Sequence, residues 1–406
     1  MRVTTLLNKL VRLPGLWICD LRFEGGRLIL SFRRRFRRLT CPICGTQVEG
    51  RFEEKIRRWR HLSLWGLPVF LEGPVRRLRC PTCQSVRTER VPWARSGSQF
   101  TSAFEDVVAF LAQRMDRTAV ATLTGIAWPT VGQIAGRLMA EKLDGRRLEN
   151  LRRIGVDEIS YRHGNRFLTV VVNHVTGKVI WAAEGKSSET LDAFFRELSP
   201  ETLAGLEIVS MDMSAAFQKA VQDALPQVKI VFDKFHLVQL AQKALDEVRR
   251  DLVRRLAPKD RSALKKTRWA LLRRADTAPP EDEAKLSAIQ KHNAPLYRGY
   301  LLKESFLELL NAPNRDQALT ETKDWLAWAS RSRLKPFLRL AHTIRTHLEG
   351  ILDAIETGIT NARLEGTNNK IRQLIHRAYG FHSAKALIAT IFLCCSGLQL
   401  PTPVLV

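Results

Sequence analysis

The chain has 406 residues, of which 45% are hydrophobic, and its formal net charge is +24. This length allows two or three domains with cores of their own, and the positive charge favours a polyanionic partner such as DNA. No apolar stretch reaches the roughly 18 residues that a membrane-spanning helix needs, and the first twenty residues lack the apolar core and cleavage site of a signal peptide. We therefore expect no membrane partner.

The basic charge is concentrated near the beginning of the chain. The first hundred residues carry 14 of the 24 surplus charges, and the densest run is Arg33, Arg34, Arg35, Arg37 and Arg38. Such runs are common in proteins that bind nucleic acids. We predict that Arg33, Arg34 and Arg35 contact DNA; the alternative is a solvated basic surface that aids solubility.

Two cysteine pairs in the same region have the spacing of a zinc site. Cys41 and Cys44 form one CPxC knuckle, and Cys80 and Cys83 form another. Four thiolates make a closed tetrahedral site, so the Zn²⁺ is expected to be structural and to support a DNA-binding surface. The 35 residues between the knuckles must form a hairpin or more, with a strand at 76–80. The alternative, four unligated buried cysteines, fits the CPxC pattern poorly.

After a linker at 95–102, residues 104–143 have the pattern of three short helices. Gly125 is suited to the turn after the second helix, and Pro129 falls in the first turn of the third. Such an arrangement resembles the helix-turn-helix of DNA-binding proteins, although any three-helix bundle shows the same pattern. The predicted DNA contacts on the third helix are Thr130, Gln133 and Arg137.

Residues 150–240 alternate between strands and helices. The pattern predicts strands at IGVDEIS, FLTVVVN, KVIWAAE, LEIVSMD and VKIVFD, with helices at SSETLDAFFREL and AAFQKAVQDAL. The second and third strands are joined by a short turn, so we expect them to be antiparallel neighbours. In such a mixed α/β sheet the first and fourth strands can lie side by side. Asp157 and Asp212, each predicted to end a short apolar strand, would then come together.

A third acid lies on a later helix, NARLEGTNNKIRQLIHRAYG, with Gly380 as its predicted stop. Leu364, Ile371, Leu374 or Ile375, and Ala378 are placed on its apolar face. Asn361, Glu365, Asn368 or Asn369, and Arg372 are placed on its polar face. Gly366 costs a helix interior roughly 1 kcal/mol relative to Ala, which indicates close approach of DNA or of the sheet.

Three carboxylates brought together in a basic chain suit metal-dependent cleavage of phosphodiesters. Carboxylates hold the Mg²⁺ or Mn²⁺ ions that activate the attacking oxygen and stabilise the leaving oxygen. The predicted set is Asp157, Asp212 and Glu365. Each has an ordinary alternative, because a lone Asp after a strand is usually a turn former or helix cap and a lone Glu is usually solvated. Lys370, Arg372 and Arg377 are either phosphate contacts or part of a solvated helix face.

These motifs together resemble the bacterial insertion-sequence transposases of the ISL3 type. The most specific segments are IGVDE, the strand that ends at Asp212, FDKFHLVQLAQKALDEVRR and NARLEGTNNKIRQLIHRAYGF. The resemblance implies a DDE triad of Asp157, Asp212 and Glu365 in a ribonuclease-H-like core. It also implies a bacterial, cytoplasmic and nucleoid-associated enzyme that binds the terminal inverted repeats of its element, cleaves DNA and transfers the strand to target DNA. Because two ends must be joined, we expect a dimer or a larger homo-oligomer.

The expected architecture is a multidomain α/β chain. The predicted parts are a zinc-binding domain at 1–95, a helix-turn-helix domain at 96–148, the first part of the core at 149–240, a helical insertion at 241–350 with a loop at 275–283, and the rest of the core at 351–406. The helices between the second and third acids contain Trp269, Trp325 and Trp328, which either pack in a core or stack on unpaired bases.

The sequence is also compatible with three alternatives. Asp233 and His236 of DKFH either serve the catalytic site, by orienting a triad residue or touching metal, or anchor the following helix. A transposase-derived DNA-binding regulator without cleavage activity is the main alternative, although a pure binder has no need of three acids near phosphates. A metal nuclease that cuts without strand transfer is the second.

Overall fold

The computed structural model describes residues 3–400 except 12, 14, 36–37, 50–51, 257–260, 262–263, 265–266, 275–278 and 360. Arg37 of the basic run and the first four residues of the predicted loop at 275–283 therefore lie outside the described residues. The chain divides into an N-terminal unit, Met1–Leu143 with Leu398–Val406, and a C-terminal unit, Asp144–Gly397. Within the described ranges, no helix is both long and apolar enough to cross a membrane.

The N-terminal unit is built on a five-stranded sheet preceded by helix α1 (Val3–Val11). The strands of this unit are β1 (Leu16–Glu24), β2 (Arg27–Arg34), β3 (Leu39–Thr40), β4 (Gln47–Val48), β5 (Glu53–Leu64), β6 (Leu67–Cys80) and β7 (Ser85–Thr88). The sheet order is β1-β2-β6-β5, with β7 also paired to β6, while β3 and β4 form a separate small hairpin. Its core is closed by Phe32, Trp59 and Trp93, whose rings make edge contacts around Trp93.

Three helices follow in the same unit, as predicted: α2 (Ser102–Ala112), α3 (Arg117–Thr124) and α4 (Trp128–Lys142). Thr101 and Asp116 cap α2 and α3 by accepting backbone N–H groups. Gly125 ends α3 in the left-handed conformation at φ +66°, which glycine adopts without steric cost. Pro129 lies in the first turn of α4. The three helices predicted for this segment are therefore confirmed.

The C-terminal unit contains a second five-stranded sheet. Its strands are β8 (Arg153–Arg162), β9 (Arg166–Asn173), β10 (Val179–Glu184), β11 (Ile208–Met211) and β12 (Lys229–Phe232). The order is β10-β9-β8-β11-β12. β8, β9 and β10 form an antiparallel meander, and β11 runs parallel to both β8 and β12. The predicted pairing of the first and fourth strands is thus confirmed.

Helices surround and follow this sheet. They are α5 (Ser188–Glu197), α6 (Pro200–Gly205), α7 (Ala215–Ala224), α8 (Lys234–Arg255), α9 (Arg268–Leu272), α10 (Pro280–His292), α11 (Ala294–Leu309), α12 (Arg315–Arg331), α13 (Lys335–Thr346), α14 (Leu348–Thr357), α15 (Ala362–Arg377) and α16 (Ala384–Cys395). A continuous apolar core joins the sheet to α8–α14. Trp325 is buried in it and Trp328 packs against it, whereas Trp269 is 62% exposed, so core packing does not account for Trp269.

Candidate functional site

Three aspartates belong to neighbouring strands: Asp157 lies within β8, and Asp212 and Asp233 directly follow β11 and β12. The register pairs Ser210 of β11 with Gly155 of β8, and it pairs Met211 with Phe232 of β12. Continuing that register places Asp212 beside Asp157 on one side and beside Asp233 on the other. Because side chains alternate along a strand, residues at one level of adjacent strands point to the same face. Asp157 and Asp212 are thus side by side, near enough for the charge of Asp212 to act on Asp157, while Asp233 follows the next strand.

The position of Asp157 differs from the prediction that it ends a strand. β8 continues to Arg162, so Asp157 lies in the middle of the strand, and Asp212 is the one that directly follows a strand. The predicted strand IGVDEIS already extends past Asp157 to Ser160, and β8 continues two residues further as one strand of the antiparallel meander with β9.

The electrostatic environment of Asp157 shows that the acids influence one another. Burial raises the pKa of Asp157 to about 6, and the negative charge of Asp212 adds to the rise. A backbone hydrogen bond from Glu158 at 2.7 Å and the nearby side chains of His236 and Arg372 oppose it. A desolvated carboxylate beside a second carboxylate is stabilised in its charged form by a bound cation.

Glu365 reaches this region from helix α15, which packs on β8. Leu364, Ile371 and Leu374 are buried along one side of the helix, while Glu365 is exposed. Burial raises the pKa of Asp233, and the negative charge of Glu365 adds to this rise. Glu365 therefore lies near the end of β12. In the described residues, Asp157, Asp212 and Glu365 do not all bring a carboxylate oxygen within 4.8 Å of one another.

Two asparagines at α15 contact the acids, and the sequence patterns did not single them out for this. Asn368 donates from its side-chain nitrogen to the Asp157 carboxylate, and Asn361, the residue before α15, lies close enough to Asp233 to lower the pKa of that carboxyl. The helical pattern predicts Asn361 and either Asn368 or Asn369 on the polar face, but Asn361 and Asn368 are both buried. The spacing of Asn361, Leu364, Asn368 and Ile371 is that of one continuous helical stripe, which is the signal that would have found them.

Asp233 has an observed structural role. It caps α8, because its Oδ1 accepts the backbone N–H of Phe235 at 3.1 Å, and its Oδ2 lies 3.9 Å from Nε2 of His236. The predicted anchoring of the following helix is therefore confirmed. A direct part in catalysis stays a prediction, which the proximity of Glu365 and the shared level with Asp212 keep open.

The donor set of this cluster fits a divalent cation. Mg²⁺ and Mn²⁺ prefer carboxylate and amide oxygens. Asp157 and Asp212 present carboxylates on one sheet face, and the side-chain oxygens of Asn361 and Asn368 are buried without a hydrogen-bond partner. Buried acceptors of this kind normally have a partner, and an ion or its water shell supplies one.

The four predicted zinc ligands come together in the N-terminal unit. Their sulfurs all lie within 4.8 Å of one another; the Cys41–Cys83 separation is 4.0 Å and the Cys44–Cys80 separation is 3.5 Å. A tetrahedral site with Zn–S bonds of about 2.3 Å has sulfurs about 3.8 Å apart, so the cluster fits one Zn²⁺. The predicted strand entering the second knuckle is the end of β6.

The three predicted arginine contacts of the basic run do not share one environment. Arg33 and Arg35 are exposed, and Arg35 lies over the Trp17 ring. Arg34 instead turns inward and forms an ion pair with Glu89, with side chains only 6% and 0% exposed. The prediction that Arg34 contacts DNA is therefore wrong, because alternate residues of a strand face opposite sides and Arg34 faces the core.

The predicted contacts on α4 also differ from one another. Gln133 is exposed and Thr130 is half-buried. Arg137 donates to Glu105 at 2.7 Å, and Glu105 has no exposed side-chain surface. Arg95 binds the same carboxylate, so Arg137 has a structural contact that competes with any contact to DNA.

The predicted basic contacts on α15 have different surroundings. Lys370 donates to the backbone oxygen of Cys394 at 2.5 Å, which holds it against α16. Arg372 is exposed and donates to Asn369 at 3.0 Å, and its charge acts on Asp157. Gly366 has open space where a side chain would begin, so the sheet does not approach it and the suggested contact with the sheet is wrong.

Comparisons with known proteins agree along most of the chain. The DDE-type transposase profile of the ISL3 family matches residues 154–391. The helix-turn-helix domain of transposase family ISL3 matches 89–138, and the zinc-finger of transposase IS204/IS1001/IS1096/IS1165 matches 37–83.

Relatives of similar length carry transposase names. The transposase for insertion sequence element IS1557 of Mycobacterium tuberculosis, in strains CDC 1551 and H37Rv, is 37% identical over 92% of this chain and 90% of its own length. The transposase for insertion sequence element IS1001 of Bordetella parapertussis is 30% identical over 88% of this chain and 89% of its own length. The chain therefore belongs to the ISL3 family of DNA-binding DDE transposases.

Proposed function

We propose that this transposase binds the terminal inverted repeats of its own insertion sequence, cleaves a DNA strand there and transfers the freed 3′-hydroxyl to target DNA. One observation carries the proposal. Asp157 and Asp212 lie at the same level of adjacent parallel strands, and the helix that bears Glu365 packs on the first of those strands. We assign these three residues as the catalytic triad.

A ribonuclease-H-like core accounts for this arrangement. The sheet order β10-β9-β8-β11-β12, with β9 antiparallel to its neighbours, supports that assignment. The helices between β12 and α15 then form an insertion, for which we retain the boundaries 241–350 between core segments 149–240 and 351–406. The preceding zinc-binding and helix-turn-helix domains keep the boundaries 1–95 and 96–148.

The chain's own residues prepare the site for a cation and a DNA strand. A bound divalent ion, Mg²⁺ or Mn²⁺, supplies Lewis acidity toward the attacking and leaving oxygens. Asp157 and Asp212 provide a desolvated pair of negative charges that favours a cation, and Asn368 fixes the orientation of Asp157. Glu365 is exposed on its helix and is not packed in the core. It completes the set of three acids.

DNA contacts are assigned to exposed cationic and polar groups. In the N-terminal unit these are Arg33, Arg35, Gln133 and Thr130. In the C-terminal unit Arg372 is a phosphate contact near the acids, with Lys370 held beside it on the same helix. Trp269 offers an exposed ring on which a base can stack. Joining two ends at the bacterial nucleoid requires at least two copies, so we propose a dimer or larger assembly.

The test uses the full chain, Mg²⁺ or Mn²⁺, and duplexes that carry the inverted repeats flanking its coding sequence. Cleavage and strand transfer are compared for the parent, Asp212→Asn and a matched control, Asp223→Asn. Asp223 is exposed on α7 and bears the same charge change. We expect Asp212→Asn to lose activity by more than a hundredfold, as is typical of removing a metal-holding or charge-stabilising group, while it keeps DNA binding.

The outcomes separate the proposal from its rivals. Tight DNA binding without cleavage by the parent in either metal supports a DNA-binding regulator and refutes the proposal. Cleavage without strand transfer supports a metal nuclease. Retained cleavage in Asp212→Asn refutes the triad assignment.

A further inference from the structure

Helix α15 is joined to the acid cluster by two asparagines that flank Glu365. Asn361 precedes Glu365 by one helical turn and interacts with Asp233, while Asn368 follows it by nearly one turn and bonds to Asp157. The helix therefore presents three groups to the acids along a single stripe. Glu365 is the exposed one, and the asparagines are 6% and 2% exposed.

Both asparagines leave an amide oxygen buried without a partner. A carboxylate only accepts hydrogen bonds when ionised, so the amide nitrogen of Asn368 faces Asp157 and its oxygen points elsewhere. A buried acceptor without a partner costs about 1–3 kcal/mol. Among the described residues, the other buried side-chain polar atoms without partners are donors or a hydroxyl: Arg34 Nε, Trp93 Nε1, Gln218 Nε2 and Ser85 Oγ. The unpartnered amide oxygens thus occur at the acid cluster.

The covalent geometry keeps the free oxygen of Asn368 close to the acids. Oxygen and nitrogen of one amide are about 2.2 Å apart, given C=O and C–N bonds of about 1.23 and 1.33 Å. With its nitrogen hydrogen-bonded to Asp157, the oxygen lies within about 5 Å of that carboxylate. An amide oxygen at this distance from the Asp157 carboxylate is a suitable further ligand for an Mg²⁺ or Mn²⁺ ion that Asp157 holds.

We propose that Asn368 is a metal-binding residue of this site, whose side-chain nitrogen holds Asp157 in place while its side-chain oxygen binds the catalytic divalent ion. The inference rests on the proposed function, since it assumes that Asp157 and Asp212 hold that ion. It adds a neutral ligand to the acid triad. A neutral ligand adds one more bond to the metal ion. It adds no negative charge to the site, where the charge of Asp212 already opposes ionisation of Asp157.

The experiment measures Mn²⁺ binding directly. Free Mn²⁺ is followed by electron paramagnetic resonance while the ion is titrated into the full chain bound to an uncleaved duplex. The variants are Asn368→Ala, Asn368→Asp and Asp212→Asn, and the exposed neighbour Asn369→Ala is the control. We expect Asn368→Ala to weaken Mn²⁺ binding roughly tenfold or more, Asn368→Asp to weaken it less because it keeps an oxygen ligand, and Asn369→Ala to change nothing.

A direct probe of the ligand decides the result. If Asn368 acted only by positioning Asp157, Asn368→Ala would still weaken Mn²⁺ binding, and the new carboxylate of Asn368→Asp would attract the ion by its charge alone. We therefore expect Mn²⁺ bound to protein with ¹³C-labelled asparagine to show a hyperfine coupling to a side-chain carbon that Asn368→Ala removes and Asn369→Ala keeps. Absence of that coupling, or unchanged binding in Asn368→Ala, overturns the inference. If Asp212→Asn also leaves Mn²⁺ binding unchanged, the proposed function itself fails.

Discussion

The buried ion pair between Arg34 and Glu89 distinguishes Arg34 from the exposed Arg33 and Arg35, which we propose as DNA contacts. We predict that Arg34→Met destabilises the N-terminal unit by about 3–5 kcal/mol, because it leaves the Glu89 carboxylate buried without its cation. The side chains of Arg34 and Glu89 are 6% and 0% exposed, so the cost of a buried, unpaired charge applies to this pair. Glu89 also accepts the backbone N–H of Arg76 at 2.9 Å, which a glutamine can still do.

The double variant Arg34→Met/Glu89→Gln is therefore expected to recover more than half of the lost stability. It removes one positive and one negative charge, so the net charge of the chain does not change. Stability is measured by urea unfolding with tryptophan fluorescence, since Trp93 lies 5.5 Å from the Arg34 guanidinium.

The same proteins are then compared in DNA binding at several salt concentrations. Each phosphate contact contributes about 0.9 to the slope of log affinity against log salt, so Arg33→Ala/Arg35→Ala is expected to lower that slope by about 1.8. The charge-neutral double variant should keep the parent slope. A slope lowered by about 1 in that variant would show that Arg34 reaches a phosphate, and it would refute the assignment of Arg34 to the core.

Three further predictions concern stability and metal content. Burial, aided by the charge of Arg60, lowers the pKa of His61 to about 4, whereas an unfolded histidine titrates near 6.5. The unfolded chain thus takes up the proton first as pH falls, and the free energy of unfolding should drop by about 2 kcal/mol between pH 7 and pH 5; an equal drop in His61→Phe would exclude this histidine as the source. Cys80→Ser should lose the zinc and lower the unfolding temperature, while Cys19→Ser, outside the cluster, should keep one zinc per chain by elemental analysis. Gly350→Ala should destabilise the C-terminal unit by about 1–3 kcal/mol, because its methyl group would overlap an aromatic ring of β12; its counterpart Gly366→Ala, which meets open space, should be stabilising by about 1 kcal/mol, and the opposite order in thermal unfolding would contradict the packing.

Much of the fold could be predicted because its signals are local. The CPxC knuckles, the capping residues, Gly125 and the alternation of apolar residues each depend on a few neighbouring positions. They predicted the zinc cluster, the three helices of the N-terminal unit and the side-by-side placement of the first and fourth strands that brings Asp157 to Asp212.

The missed features depend on residues distant in sequence. Nothing within the arginine run shows that Glu89, more than fifty residues later, selects Arg34 for the core. Asn368 and Asn369 are adjacent residues of the same type, and only the packing of α15 on β8 decides which of them is buried. Likewise, β8 continues to Arg162, two residues past the predicted strand, because β9 provides its pairing partners, a contact that the strand's own residues do not specify.

The wide separation of the acids in sequence has a consequence during synthesis. Glu365 follows Leu143, where the main stretch of the N-terminal unit ends, by roughly 220 residues. At about 5–20 residues per second, a ribosome needs tens of seconds to cover that distance, and N-terminal domains fold first. A nascent chain therefore presents its zinc cluster and helices α2–α4 well before its acid set is complete. During that interval it can occupy nearby DNA, including the gene being transcribed and translated, without being able to cut it.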